Sequence, residues 1–263
     1  MIVDVHCHLN HQLFKNDLDQ VIQRAKKAGV KAIVCSGVNH PANEEVLQIA
    51  KKYDIVYASL GLYPIDLLGL GPDEVGITRQ IGKIDLDEEL EFIKKHKKDI
   101  VAVGECGLEF HWDKKHHQKQ KENFQKIIEF MEKFKKPLIV HTRRAELDVF
   151  EMLESSKLKK DKVILHCFEA RKHIIKKAID QNYKLTIPTT IVKLQHFQTI
   201  AELAPLNQLF TETDAPWLSP YKDVRRNEPA FITETIKKIA EIKKLTEKEV
   251  EKQIYNNFEK TFL

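Results

Sequence analysis

The chain has 263 residues, 42% hydrophobic and 31% charged, with only 9 Gly and 9 Pro and a formal net charge of +4. That balance, with a mean hydropathy of −0.40, excludes a disordered or collagen-like chain. No apolar run approaches the ~18 residues of a transmembrane helix, and the N-terminal residues lack the pattern of a signal peptide, so a soluble, cytoplasmic protein is expected.

Short runs rich in Val and Ile alternate with amphipathic stretches along the chain. The first strand candidates are Ile2–His8, Ala32–Ser36 and Val56–Leu60. A long connection follows, from Leu67 to Asp85, carrying Gly69, Gly71, Pro72, Gly76 and Gly82; it reads as a surface insertion, with a lid as the competing reading. Val101–Gly107 is the fourth strand. Phe124, Ile127, Ile128 and Met131 then recur at helical spacing. Leu138–His141 is followed by a second such set, Leu147, Phe150 and Leu153. Val163–Cys167, Lys184–Ile187 and Leu209–Asp214 complete the strands, and Ile232, Ile236, Ile239 and Ile242 mark a further helix. The lysine clusters Lys94–Lys98 and Lys157–Lys162 fall at helix ends and read as solvated faces.

Eight strands alternating with helices, with no linker or internal repeat, predict an α/β chain in which residues 1–263 form a single (β/α)8 TIM-type barrel. An open doubly wound sheet is the competitor. Its dinucleotide-binding form is disfavoured, because no Gly-x-Gly-x-x-Gly follows the first strand.

The chemistry gathers at the C-terminal strand ends, where barrel active sites lie. His6 and His8 close the first strand, and strand alternation turns both to one side and Cys7 to the other. Glu105 ends the fourth strand, His141 the fifth, His166 the sixth and Asp214 the eighth. Burying so many imidazoles and carboxylates together is costly unless a cation neutralises them. Their N and O atoms suit Zn, Mn, Mg or Co. Six ligands are too many for one tetrahedral site with an open position, so two divalent ions bridged by Glu105 are expected.

Cys7, Cys35, Cys106 and Cys167 form no Cys-x-x-Cys pair and are expected to be buried thiols turned away from the ligands. Asp4 lies on the face of His6 and reads either as a carboxylate orienting that histidine or as a buried group held by backbone donors. The chain has 7 Arg against 36 Lys, and Arg143, Arg144, Arg171, Arg225 and Arg226 all follow strand ends. Guanidinium forks bind phosphate bidentately, so Arg143 and Arg226 are candidate substrate contacts. The alternative is pairing with nearby acids such as Glu146 or Glu228.

Six segments resemble the TatD-type metal-dependent deoxyribonucleases, in the order of that family: Asp4-Val5-His6-Cys7-His8-Leu9, Gly104-Glu105-Cys106-Gly107-Leu108-Glu109-Phe110, His141-Thr142-Arg143, His166-Cys167-Phe168, Glu212-Thr213-Asp214-Ala215-Pro216-Trp217 and Arg226-Asn227-Glu228-Pro229. The resemblance implies a barrel hydrolase that cleaves phosphodiester bonds in DNA, single strands or ends, as an exonuclease. It also implies that His6, His8 and Asp214 hold one ion, that His141 and His166 hold the other, and that Glu105 bridges them. Asp214 and Glu105 would be catalytic, Asp214 taking a proton from the attacking water, and Arg226 would hold phosphate.

The family's Gly-x-His-Pro-His segment is replaced by Gly61-Leu62-Tyr63-Pro64-Ile65, which leaves Tyr63 as a hydrogen-bond donor to substrate. Asn10 and Glu169-Ala170 also depart from the family pattern. A monomer with no obligate protein partner is expected. The competing readings are an amidohydrolase or esterase acting on a carbonyl ester or amide, including RNA-linked esters, and a non-enzymatic barrel that binds nucleic acid.

Overall fold

The computed structural model describes every residue except 71–75, 80, 81 and 83. Its strands are β1 (Ile2–Cys7), β2 (Val30–Ser36), β3 (Val56–Leu62), β4 (Ile100–Glu109), β5 (Leu138–Arg143), β6 (Val163–Leu165), β7 (Lys184–Pro188) and β8 (Leu209–Glu212). They pair in parallel, each with its sequence neighbour, as one sheet in the order β1 to β8. The two edges meet: Asp214 N donates to His6 O at 2.9 Å, and His8 N donates to Ala215 O at 2.8 Å. The result is the barrel expected from the alternating pattern.

Helices α1 (Leu18–Lys27), α2 (His40–Lys52), α3 (Leu86–Lys95), α4 (His117–Phe134), α5 (Glu146–Glu154), α6 (Lys172–Asp180), α7 (Gln195–Leu203), α8 (Ile232–Lys243) and α9 (Glu247–Phe262) form the outer layer. Their starts are written locally. Asn39 accepts from Ala42 N to cap α2, and Thr246 and Glu249 form a reciprocal capping box on α9. The strands read as continuous apolar runs because they are buried on both faces, one toward the barrel interior and one toward the helices. Among the described residues, no helix is long and apolar enough to cross a membrane.

Three strands end earlier than expected. β1 stops at Cys7, β6 at Leu165 and β8 at Glu212, so His8, His166 and Asp214 stand just past the ladder. At β6 side chains take over from strand carbonyls: Cys167 N donates to Thr186 Oγ1 and Glu212 Oε1. Cys167 (φ 43°) and Asp214 (φ 53°) both adopt the left-handed conformation, which turns the chain where the site is built. At Gly107 (φ 157°) an added Cβ would stand 1.9 Å from His141 O, so only glycine lets β4 lie this close to the backbone of β5.

In the long connection after β3, Gly71 and Pro72 lie outside the described residues, and so does the centre of the insertion or lid. Its described part touches the barrel: Gly76 O accepts from Gln12 N at 2.7 Å, and Arg79 pairs with Asp66 at 2.6 Å.

Candidate metal centre

β1 delivers two imidazoles, and one residue of β2 orients both. Ser36 Oγ lies 3.1 Å from His6 Nδ1, and Ser36 O lies 3.0 Å from His8 Nδ1. Both Nε2 atoms are thereby aimed at Glu105 and Asp214. His8 Nε2 is 3.1 Å from Glu105 Oε1 and 3.6 Å from Asp214 Oδ1. His6 Nε2 stands farther off, at 3.6 and 3.5 Å from the same two oxygens. It is buried and has no hydrogen-bond partner among the described residues. An orphaned buried imidazole nitrogen facing two carboxylates has the chemistry of a cation ligand.

Glu105 divides its two oxygens. Oε1 faces His6 and His8, while Oε2 lies 3.0 Å from His141 Nδ1. The far nitrogen of His141 lies 3.2 Å from Glu109 Oε2. His166 stacks on His6 with ring centroids 3.8 Å apart, and its Nδ1 lies 2.7 Å from the fully buried Glu212.

Two donor groups could each hold an ion: His6, Glu105 and His166, and His6, His8 and Asp214. Five of the six expected ligands fall in these groups. His141 joins neither; it reaches the centre through Glu105, and its ring lies 6.2 Å from that of His166.

The electrostatics agree with a cation site. Burial lowers the pKa of His6, helped by neighbouring His166, so its ring stays neutral and free to ligate. Burial alone would raise Glu105, but its contacts with His141 and His8 and the nearby His6 ring hold it well below the usual carboxylate range. Asp214 is likewise lowered, against burial, by its contact with His8 and by the charge of His166. Against burial, Asp214 and Glu105 push His8 up to about 10. Two ionised carboxylates thus draw a proton onto His8 where a divalent ion would serve.

The ligands open into a cavity of about 580 Å³, also lined by Arg79, Arg143, Arg144, Tyr63 and Trp217. Arg143 therefore lines the same cavity as the candidate ligands. Arg226 does not line the cavity. Its guanidinium is taken by Asp17, with two contacts of 2.7 Å, and by Leu13 O, so the ion-pair alternative describes its place. Tyr63 donates to Glu109 Oε2 at 3.1 Å and packs edge-on against His141, so its hydroxyl serves the scaffold behind that histidine.

Asp4 accepts Thr213 N at 2.9 Å and His6 N at 3.3 Å; it binds the backbone of His6, not its ring. Cys7, Cys35 and Cys106 are buried thiols as expected. Cys167 departs from that expectation: it is only partly buried and lines the cavity, because its left-handed φ reverses the strand alternation.

Four contributors were not singled out from sequence. Ser36, Glu109 and Glu212 orient ligands, and Arg79 comes from the long connection. Glu109 and Glu212 sit inside the strand-end segments quoted above, which was the available signal.

A family model of TatD-related DNases matches residues 3–263. The metal-dependent hydrolase YabD of Bacillus subtilis is 31% identical over 100% of this chain and 99% of its own length. Deoxyribonuclease TATDN3 of Homo sapiens is 32% identical, covering 95% and 90%. The 3′-5′ ssDNA/RNA exonuclease TatD of Pantoea ananatis is 26% identical, covering 98% of both. Among solved structures, the TatD homologue YJJV of Escherichia coli superposes with a TM-score of 0.86 at 24% identity, over 99% of this chain and 97% of that one, which supports the fold. With the donor set in place and the family model spanning nearly the whole chain, this protein belongs to the TatD-related DNase family and is a metal-dependent hydrolase.

Proposed function

We propose that the chain is an exonuclease hydrolysing phosphodiester bonds of single-stranded DNA or DNA ends, with two divalent ions and Glu105 between them. The observation that carries this reading is the division of Glu105: one oxygen faces His6 and His8, the other His141. When bound, such ions activate water at neutral pH and offset charge on the reacting phosphate. Zn, Mn, Mg and Co all suit the donors. His6, His8 and Asp214 would hold one ion, and His166 and His141 the other, with Glu105 shared.

Asp214 supplies the base. Its carboxylate is ionised and lines the cavity, so it can accept a proton from the attacking water. Arg143, Arg144 and Arg79 supply guanidinium donors for the non-bridging phosphate oxygens. Tyr63 keeps Glu109, and through it His141, in register. One chain contributes every group, so a monomer suffices. Four free cysteines suit the reducing cytoplasm.

The deoxyribonuclease and exonuclease names of the relatives favour phosphodiesters over the carbonyl ester and amide alternative. Convergent ligands beneath a cavity also argue against a binding-only barrel. The test is hydrolysis of end-labelled single-stranded DNA with Mg²⁺ or Mn²⁺, with chelator, and with Asp214→Asn. Metal-dependent shortening from one end, lost in the variant, supports the proposal. No shortening by metal-loaded protein rejects it.

A further inference from the structure

The loop between β4 and α4 carries an exposed indole beside the cavity. Trp112 is 39% exposed, yet its backbone is fixed. Glu109 Oε1 accepts His111 N at 2.7 Å and Trp112 N at 3.1 Å, and Phe110 N donates to Arg143 O at 2.9 Å. Asp113 and Gln120 close the loop from below: Gln120 Nε2 donates to Glu109 O and to Asp113 Oδ2. An aromatic side chain with two torsions on a tethered loop loses little freedom when a ligand stacks on it.

Its surroundings are cationic. The Arg143 guanidinium lies 5.2 Å from the indole centroid, and the His111 ring packs edge-on at 4.7 Å. Trp112, His111, Lys114 and Lys115 line an outer hollow of about 490 Å³, which shares His111 with the catalytic cavity. The acid in that hollow, Asp113, is committed to backbone donors of its own loop and to Gln120. Glu146, across the rim, accepts Arg144 N.

We infer that Trp112 is a stacking platform for a base of the single-stranded substrate, outside the catalytic cavity, with Arg143, Lys114 and Lys115 flanking its phosphates. This inference rests on the nuclease reading above. Stacking is sequence-tolerant because every base has a π face, and the flanking cations follow the backbone. The exposed Arg143–indole contact is weak enough to yield its ring face to a base. The platform therefore gives affinity for strand length without base identity.

The experiment uses a short phosphorothioate-linked oligodeoxythymidine with Mg²⁺, its binding to the full chain measured by fluorescence anisotropy. Trp112→Ala is expected to weaken binding by about 5- to 150-fold, the equivalent of about 1–3 kcal/mol for one stacked base. Trp112→Phe should retain most of the affinity. An abasic scan of the oligonucleotide should find one position whose base matters with Trp112 present and no longer matters in Trp112→Ala. Equal abasic penalties with and without Trp112 would overturn the platform while leaving the nuclease reading intact. Failure of the unsubstituted chain both to bind the oligonucleotide and to cleave its phosphodiester form would overturn both readings. Thermal unfolding of each variant checks that the exposed substitution leaves the fold in place.

Discussion

Glu212→Gln should weaken metal binding without unfolding the barrel. Glu212 is fully buried, and its two oxygens do different work: Oε2 lies 2.7 Å from His166 Nδ1, and Oε1 accepts Cys167 N at 3.1 Å. The contact to Nδ1 keeps a proton there and leaves Nε2 as the bare nitrogen that can ligate. Glutamine has the same shape but one acceptor and one donor. If its oxygen faces His166, its amide hydrogens confront Cys167 N–H. If it turns over, it confronts the Nδ1 proton, and the alternative tautomer places hydrogen on Nε2, the nitrogen that would hold an ion. Each arrangement leaves one buried donor unsatisfied, at a cost of about 1–3 kcal/mol. At about 1.4 kcal/mol per decade that is roughly 5- to 150-fold in metal affinity, in line with losses when a carboxylate behind a ligating histidine is changed. The assay is competition with a chromogenic chelator for Zn²⁺ or Mn²⁺, with urea unfolding of the metal-free protein as the control. Metal affinity within about twofold of the unsubstituted chain, in a folded variant, would refute the orienting role.

Asp4 tests the linkage of stability to pH. Burial, the largest influence, raises its carboxyl from an ordinary 3.8 to about 8, against hydrogen bonds from Thr213 and His6. The fold then holds a proton that the unfolded chain releases, so this group's contribution is complete below about pH 4 and is lost as pH rises toward 8. In the metal-free protein, Asp4→Asn should remove a slope of up to about 1.4 kcal/mol per pH unit, read from urea midpoints across that window. Parallel slopes for the two proteins would sink this account. Arg226→Ala breaks a pair whose side chains are 30% and 31% exposed, so about 1 kcal/mol or less of stability should go. Its kcat/KM on single-stranded DNA should stay within about twofold, which a charge outside the cavity allows. A tenfold fall with stability unchanged would return Arg226 to the substrate.

What could be read in advance follows from what each residue depends on. β2 and β5 announce themselves because a strand segment buried on both faces is apolar, as residues 32–35 and 138–140 are. His6, Glu105, His141, His166 and Asp214 stand out because an ionisable group closing such a run has no apolar purpose there. Ser36 carries no such signal, and Glu109 and Glu212 carry only their place at the ends of β4 and β8, which does not say what they touch. Ser36 meets two histidines, 30 and 28 residues away, Glu109 one 32 away and Glu212 one 46 away, and those pairings exist only once β1, β2, β4, β5, β6 and β8 are brought together. Arg226 hid its ion pair for the same reason. It follows a strand end, as a phosphate ligand should, but its partner Asp17 precedes it by 209 residues and meets it only when the barrel closes. The strand ends slipped by one or two residues: at β6 the ladder gives way to side-chain acceptors, and past β1 and β8 His8 N and Asp214 N close the barrel on each other's strand through backbone carbonyls.

Glu109 shows how centre and rim become one object. Its Oε2 meets His141 and Tyr63, and its Oε1 holds the backbone of His111 and Trp112. A carboxylate saturated in this way is costly to move, since any displacement leaves a buried charge with fewer donors. Burial would raise its pKa, but His141 and the two backbone N–H groups hold it low, so all four contacts persist at neutral pH. The position of the exposed indole and the orientation of the His141 ring therefore cannot vary independently. A base stacked on Trp112 meets a loop already aligned with the Glu105-facing side of His141. The tolerance for that alignment is set by one buried side chain, with no large mobile element required between them.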